Sequence, residues 1–599
     1  MKITFMPNNI TGIADSNESI LDVASRVGVN IDGNCAGAGT CGKCKVKIVD
    51  GNVKLTKEQD LVLTKHEYEN NYRLACCTKA KSDIVVLVPE TETITSRKEK
   101  LLKLPDWFNF DVNVVKKCLN IKKSNLEKQE SIEKKLKYSL GKENLFIDRD
   151  VLKMLNEETE LTVTVLDDYV VDLEHGNTEN ENYGLALDIG TTTVVFMLWN
   201  LSTKKIVDIK AVTNPQGVYG ADVISRINKN NETNGEHLLH KTLINKMNEI
   251  IKGFENKNGI KSTNIYKITA CGNTTMSHFL WDVETRSLAV SPFAPVFCDY
   301  QVTNAKSLGI NINPLAYVEL LPNIAGHVGS DITAGIITTD LMNRDKGHLF
   351  IDIGTNGEIV LAGKDCVYTC STAAGPAFEG SSIAMGIRAA EGAVEKVKIS
   401  EKGVEIKVIG DCTPVGICGS GIIDAIGQMI KWKIIDKTGK INGPSKLEKL
   451  GVSEEVIDRI VKDEKGYSFI LFDDNKGSIV KVTQKDVREV QLAKAAIAAG
   501  ISTMMSFANL DKEDLVNISI AGAFGSYVDI DNAINLGLIP NIEKSKIISI
   551  GNSAGIGTSM ALLSKKTIEE TKYVANEIKH IELAALNEFQ DEYIKAMMF

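Results

Sequence analysis

The chain has 599 residues, too many for one hydrophobic core, so its length predicts three or four domains. It is 43% hydrophobic and 25% charged, with a formal net charge of −9, which argues against the clustered positive surface that broad phosphate-backbone binding needs. No run approaches the roughly 18 consecutive apolar residues of a bilayer span, and MKITFMPNNITG lacks the apolar core of a signal peptide, so a cytoplasmic protein is expected.

Residues 1–92 read as one small domain. Short β-type runs (Lys2–Met6, Val46–Val49, Ile84–Val88) surround a helical pattern at Ile20, Leu21, Ala24 and Val27. Residues 93–140 shift to Lys, Glu, Asn and Leu, with charge blocks at Lys98–Lys103 and Glu133–Lys137, and are expected to be a solvated linker helix. Residues 141–182 hold one good strand, Leu161–Leu166, and form part of a small middle domain that ends in the polar stretch HGNTENENYG. From 183 to 585, glycine-punctuated apolar strands alternate with helices, the pattern of an α/β domain.

The first region carries Cys35, Cys41 and Cys44 in CAGAGTCGKC, with Cys76 following in YRLAC. Twelve cysteines in an intracellular chain of this length point to metal or redox chemistry rather than a disulfide framework. Thiolates are soft anionic ligands, and four of them satisfy a two-iron cluster. Glycines 37, 39 and 42 let a loop wrap such a cluster with its N–H groups aimed at sulfur. A zinc site favours paired C-x2-C ligands, and only one such pair exists here. Residues 37–42 also match G-x-G-x-x-G, but no helix follows. Cys77 is an alternative to Cys76, although the RLAC register favours Cys76. This segment resembles the plant- and vertebrate-type [2Fe–2S] ferredoxins, which implies a β-grasp fold with Cys35, Cys41, Cys44 and Cys76 as iron ligands.

The α/β region contains an internal echo. GLALDIGTTTVV, beginning at Gly184, resembles LFIDIGTNGEIV, beginning at Leu349, and Asp188 and Asp352 lie 164 positions apart. Two related subdomains are expected, each opening with the same hairpin. Each turn offers backbone N–H and hydroxyl donors to phosphate oxygens, beside a carboxylate able to hold Mg²⁺ through water. No G-x-x-x-x-G-K-[ST] run is present, so a standard P-loop is excluded. Further on, PNIAGHVGSD ends at Asp331, GICGSGIID spans Gly416–Asp424, and ISIAGAFG spans Ile518–Gly525.

In order and spacing this set resembles the superfamily of acetate and sugar kinases, heat-shock chaperone ATPases and actin, which implies an actin-like pair of RNase H-like subdomains. By that resemblance Asp188 and Asp352 hold Mg²⁺ through water, and Asp331 on the connecting helix orients the attacking water. Gly190, Thr191, Thr192 and Thr193 with Gly354, Thr355 and Asn356 bind phosphates. Gly419, Ser420 and Gly421 with Gly522, Ala523 and Gly525 approach the adenosine.

A two-iron ferredoxin domain joined to such an ATPase resembles the reductive activators of corrinoid proteins. NPQGVYGADVISRI (Asn214–Ile227), CGNTTM (Cys271–Met276), STAAGPAFEG (Ser371–Gly380) and TQKDVREVQLAKAAIAAG (Thr483–Gly500) also look like that family. The resemblance implies ATP-dependent reduction of an inactive Co(II) corrinoid methyl-transfer protein to Co(I) in an anaerobic pathway. It also implies a low-potential electron donor upstream and a homodimer. An activator of a different radical enzyme is disfavoured, because such activators carry a four-iron cluster and no fused ferredoxin domain. A nucleotide-sensing redox protein without turnover is the other alternative.

Overall fold

The computed structural model describes the chain apart from residues 8, 16–17, 28, 30, 32–41, 43, 55–62, 64, 89–102, 122, 128, 156–159, 221, 233–236, 340, 344–345, 381, 464–465, 476 and 523–527.

At the N-terminus, strands Lys2–Met6, Ile10–Ile13, Lys45–Asp50, Tyr72–Leu74 and Ile84–Leu87 form one mixed sheet, with Lys2–Met6 and Ile84–Leu87 running parallel inside it. Alternation along Lys2–Met6 puts Ile3 and Phe5 on the inner face, where helix Ile20–Arg26 covers them with Ile20, Val23 and Ala24. Each of the larger ones, Ile3, Phe5, Ile20 and Val23, contributes about 1.5–3 kcal/mol on burial. Among the described residues, the core of this unit contains none beyond Val88. This is the β-grasp arrangement that the ferredoxin resemblance implies.

The lysine-rich stretch departs from the solvated helix expected of it. Within it, Val114–Asn120 is a strand in a four-stranded sheet with Glu160–Leu166, Tyr169–His175 and Phe146–Ile147. The cause is Lys116: it is buried, it ion-pairs with Glu174, and its ammonium donates to the Tyr266 hydroxyl at 3.1 Å. A lysine held inward by partners looks the same in sequence as one in solvent. A helix does form at the end of the stretch, Ile132–Leu140. Ser131 caps it by accepting from the Lys134 amide, and Gly141 closes it at φ 68°. Leu136 carries the helix into the small sheet's core.

The α/β region holds two six-stranded sheets. In the first the order is Lys205–Thr213, Thr193–Asn200, Tyr183–Ile189, Ile265–Gly272, Tyr317–Leu320, Gln301–Asn304. The second runs Val367–Thr372, Gly357–Ala362, His348–Ile353, Asn517–Ala521, Ile547–Gly551, with Lys579–His580 added beyond Val367–Thr372. Each therefore has three antiparallel strands followed by two parallel ones. The sequence echo is thus a repeat of topology, two RNase H-like units in an actin-type pair.

Two helices cross between the sheets: Ser330–Ile336, and Ser553–Leu563, which packs on the first sheet's strands as well. Their contact is close because a Cβ at Gly557 would lie 1.8 Å from the Ala334 carbonyl oxygen. The far end of the second helix meets the small middle sheet. The Asp111 amide donates to the Leu563 carbonyl, and the Lys565 amide donates to the Asp111 carbonyl, both at 3.0 Å.

Insertions complete the second subdomain. Two three-stranded sheets and helix Gly419–Lys431 pack with Gln484–Phe507, a 24-residue helix opened by a Thr483–Asp486 capping box. By length and composition alone that helix could cross a membrane, yet Val487, Val490, Ile497, Ile501 and Met504 lie in the core of this subdomain.

Candidate nucleotide cleft and iron site

In the first hairpin, strand Tyr183–Ile189 turns through residues 190–192 into Thr193–Asn200, and the Gly190 amide donates to the Thr193 carbonyl at 3.0 Å. A side chain at 190 would place Cβ 2.7 Å from that same oxygen, so the turn requires glycine. In the second hairpin, His348–Ile353 turns through 354–356 into Gly357–Ala362, closed by Gly354 N–H to the Asn356 carbonyl at 2.9 Å.

Neighbouring segments steady both turns. Asn273 donates to the Thr191 hydroxyl at 2.8 Å, and Asn214 donates to the Gly190 carbonyl at 2.8 Å. Glu379 spans the two hairpins, accepting from the Thr192 hydroxyl at 2.7 Å and the Thr355 hydroxyl at 2.6 Å.

Asp188, Asp331 and Asp352, which the sequence singles out, lie close enough to influence one another's ionisation. Burial raises the Asp188 carboxyl to about 6, while hydrogen bonds from Asn552 and Cys271 oppose the rise. Burial and then the Asp188 charge raise Asp352 to about 7. Asp331, in the first turn of the connecting helix, is raised to about 8 by burial and by the charges of Asp352 and Asp188. A fourth member, Glu358, sits directly across the ladder from Asp352 and is pushed well above its usual range by burial, Asp331 and Asp352.

Four acidic groups brought together are a poor arrangement by themselves. They are a good one for a hydrated divalent cation, which takes oxygen ligands and cancels the repulsion. The donor set therefore fits Mg²⁺ with a nucleotide phosphate.

Glu358 is absent from the expected set although its signal was present: in DIGTNGE it lies six positions after Asp352, across the strand pair. Glu379, Asn273 and Asn214 lie in family-like segments that carried no residue-level signal. The glycine-rich turns behave differently from one another. Gly419, Ser420 and Gly421 open helix Gly419–Lys431 and are all buried, and a Cβ at Gly421 would lie 2.1 Å from the Val394 carbonyl oxygen. Gly421 thus admits the protein's own backbone. Gly522, at φ 95°, abuts the second hairpin, where a Cβ would lie 2.5 Å from the Ile353 carbonyl oxygen and 2.9 Å from Asp352 Oδ1. Ala523 and Gly525 fall outside the described residues.

At the iron site, Cys35 and Cys41 also fall outside the described residues. The other two expected ligands meet: Cys44 Sγ lies 3.2 Å from Cys76 Sγ, and Cys77 Sγ is 3.5 Å from Cys76. The Cys76 thiol is pushed far up, first by its hydrogen bond to Cys44 and then by burial. A bound iron centre reverses this, because a coordinated thiol gives up its proton. Soft sulfurs converging at one edge of the sheet fit an iron–sulfur cluster.

Comparison with known proteins agrees with both halves. Residues 5–81 match the 2Fe-2S iron-sulfur cluster binding domain, 183–344 the RACo middle region, and 346–599 the C-terminal domain of RACo, the ASKHA domain. The corrinoid activation enzyme RamQ of Eubacterium limosum is 32% identical, with 98% of this chain and 97% of that protein covered. The [Co(II) methylated amine-specific corrinoid protein] reductase of Methanosarcina barkeri is 26% identical over 69% of this chain and 76% of its own. Among solved structures, a reductive activator for corrinoid, iron-sulfur protein superposes with a TM-score of 0.75 at 34% identity, covering 100% of this chain and 98% of that one. The chain belongs to the family of corrinoid reductive activators, an N-terminal two-iron ferredoxin domain joined to an actin-type ATPase.

Proposed function

We propose that this protein uses ATP to drive a single electron onto the cobalt of a corrinoid methyl-transfer protein, returning inactive Co(II) to Co(I). The observation that carries the reading is the pairing, on one chain, of converging cysteine thiols with a cluster of buried carboxyls beside two phosphate-type turns.

When bound, a two-iron cluster supplies one electron at a time at a potential near about −400 mV. Cys35, Cys41, Cys44 and Cys76 are its ligands in this reading, with Cys44 and Cys76 already side by side. Gly190–Thr193 and Gly354–Asn356 hold the phosphates, and Asp188 and Asp352 hold Mg²⁺ through water. Asp331 orients the attacking water, and Glu358 adds to the charge that retains the cation. Gly419, Ser420 and Gly522 approach the adenosine in this reading, whereas Gly421 is taken up by the Val394 backbone.

Each 100 mV that the cobalt couple lies below the donor costs about 2.3 kcal/mol per electron. Differential binding of the partner in two nucleotide states supplies a few kcal/mol, reset by hydrolysis. The crossing helices are suited to pass that difference on, because Asn552 beside Asp188 caps the helix whose other end hydrogen-bonds Asp111, just ahead of the middle sheet's Val114–Asn120 strand.

The working unit in this reading is a homodimer fed by a low-potential donor. It operates in the cytoplasm, where cysteines outside disulfides, such as the ten among the described residues, persist. The domains run 1–92, 93–140, 141–182 and 183–585, with Val114–Asn120 assigned to the middle domain by its strand pairing.

Anaerobic absorption spectroscopy tests the reading. A Co(II) corrinoid protein mixed with this protein and a strong reductant should develop the Co(I) band only with Mg-ATP. The band should be lost in Asp188→Ala and in Cys41→Ser. Equal Co(I) formation without nucleotide would sink the reading.

A further inference from the structure

Glu379 is an anion held where an anion-binding site is expected. Its two carboxylate oxygens accept from Thr192 and Thr355, one hydroxyl from each phosphate-type turn and so one from each subdomain. No other described side chain hydrogen-bonds both turns in this way. The buried guanidinium of Arg226 is lowered to about 10 by burial, which the charge of Asp222 and then that of Glu379 oppose. Two hydroxyl donors converging on one carboxylate, one from each turn, are partners a terminal phosphate would take.

The backbone around Glu379 has open space on one side and an anchor on the other. Glu379 ends a short turn, Pro376–Glu379, between Gly375 at φ 76° and Gly380 at φ 74°. Phe378 is fully buried and pins the turn to the core, whereas a Cβ at 375 would meet nothing within 4 Å. Beyond Gly380, the segment reaches Ala384, whose amide donates to Asp486 at 2.7 Å, and Arg388, which donates to the Thr213 hydroxyl of the first subdomain.

Resting on the nucleotide reading above, we infer that Glu379 is an internal plug. Its carboxylate occupies the terminal-phosphate position and holds the two subdomains together there. ATP expels it and ADP does not, so residues 380–388 report which nucleotide is bound. A carboxylate and a terminal phosphate within a few ångströms of each other repel strongly, and both cannot keep the same two hydroxyls. Glu379 is in this account a positioning residue, acting on nucleotide choice rather than on the reacting atoms.

The test measures binding of AMPPNP and of ADP, each with Mg²⁺, to the full chain and to Glu379→Gln. Glutamine keeps the shape and one acceptor but removes the charge. The expected result is AMPPNP binding about tenfold tighter in Glu379→Gln, with ADP changed less than about threefold. An unchanged AMPPNP-to-ADP ratio overturns the plug. So does weaker AMPPNP binding, which would make Glu379 a holder of the cation or of the attacking water.

Hydrogen exchange on the unaltered chain supplies a second readout that does not depend on the variant folding. Peptides covering 380–388 should exchange faster with AMPPNP than with ADP, and slower exchange with AMPPNP overturns the plug. An unaltered chain that binds neither nucleotide removes the ATPase reading and the plug with it. Binding of both with an unaltered ratio in the variant removes the plug alone.

Discussion

Asp188 and Asp352 occupy the same place in two hairpins of the same topology, yet their neighbours differ. Asp188 faces neutral partners: Asn552 at the start of the closing helix, and Cys271 directly across the parallel ladder with its thiol 3.8 Å away. Asp352 faces Glu358 across the ladder and has Asp331 nearby. Burial pushes both carboxyls up, Asp188 to about 6 and Asp352 to about 7. The duplicated hairpin thus supplies the same turn and one carboxyl twice, but the second carboxyl faces a further acidic residue across its ladder. The first hairpin is the better satisfied by the protein itself, and the second depends more on a cation.

The largest expected effect comes from removing either aspartate. Asp188→Ala and Asp352→Ala should each lower ATP turnover by about 10²-fold or more, read as phosphate release. Asp352→Asn should in addition raise the melting temperature at pH 8 without Mg²⁺, and by more than Asp188→Asn does. Equal shifts would erase the distinction between the hairpins.

Packing behind the hairpins gives the next effect. Gly557→Val drives a side chain into the Ala334 carbonyl where the two helices cross, and should destabilise the ATPase half by about 1–3 kcal/mol in thermal or urea melts. The iron domain has its own core and should keep its visible spectrum in that variant.

Next in size is pH. The folded carboxyl values of about 6, 7 and 8 lie above the ordinary 3.8, so the native state binds more protons than the unfolded chain between about pH 4 and 8. Without a cation, stability contributed by this cluster is present at low pH and is lost as pH rises through that window. A bound Mg²⁺ competes with those protons, so Mg-nucleotide affinity should rise severalfold from pH 6 to pH 8. Titration calorimetry checks this, and Glu358→Gln should flatten the rise.

Smallest is Asn552→Ala. Loss of the hydrogen bond that favours ionised Asp188 should move the low-pH limb of ATP turnover upward by a few tenths of a pH unit, while the limb set by Asp352 stays in place.

Much of this was legible in sequence. DIGTTT and DIGTNGE stated the duplicated turn outright, because glycine and small polar residues at fixed offsets leave few other conformations. The cysteine spacing and RLAC pointed to a two-iron domain, in agreement with the match over residues 5–81, and picked out the Cys44–Cys76 pair that the fold brings together. Val114–Asn120 was hidden because Lys116 is buried through partners at Glu174 and Tyr266, about 60 and 150 positions away. Glu379 was hidden for the same reason: its two partners come from turns that only the fold brings together. Gly421 shows the opposite limit. A glycine-rich turn announces close approach, and only the structure reveals that the approaching group is the Val394 backbone.

The account depends most on both hairpins serving a single cation–nucleotide site. Proton release on binding tests it directly, measured as the heat of Mg-ADP binding at pH 7 in buffers of different ionisation enthalpy. A shared site among Asp188, Asp331, Asp352 and Glu358 predicts release of about one proton or more per nucleotide bound, reduced in Asp331→Asn. Tight binding with no proton exchanged, and no change in that variant, would contradict it.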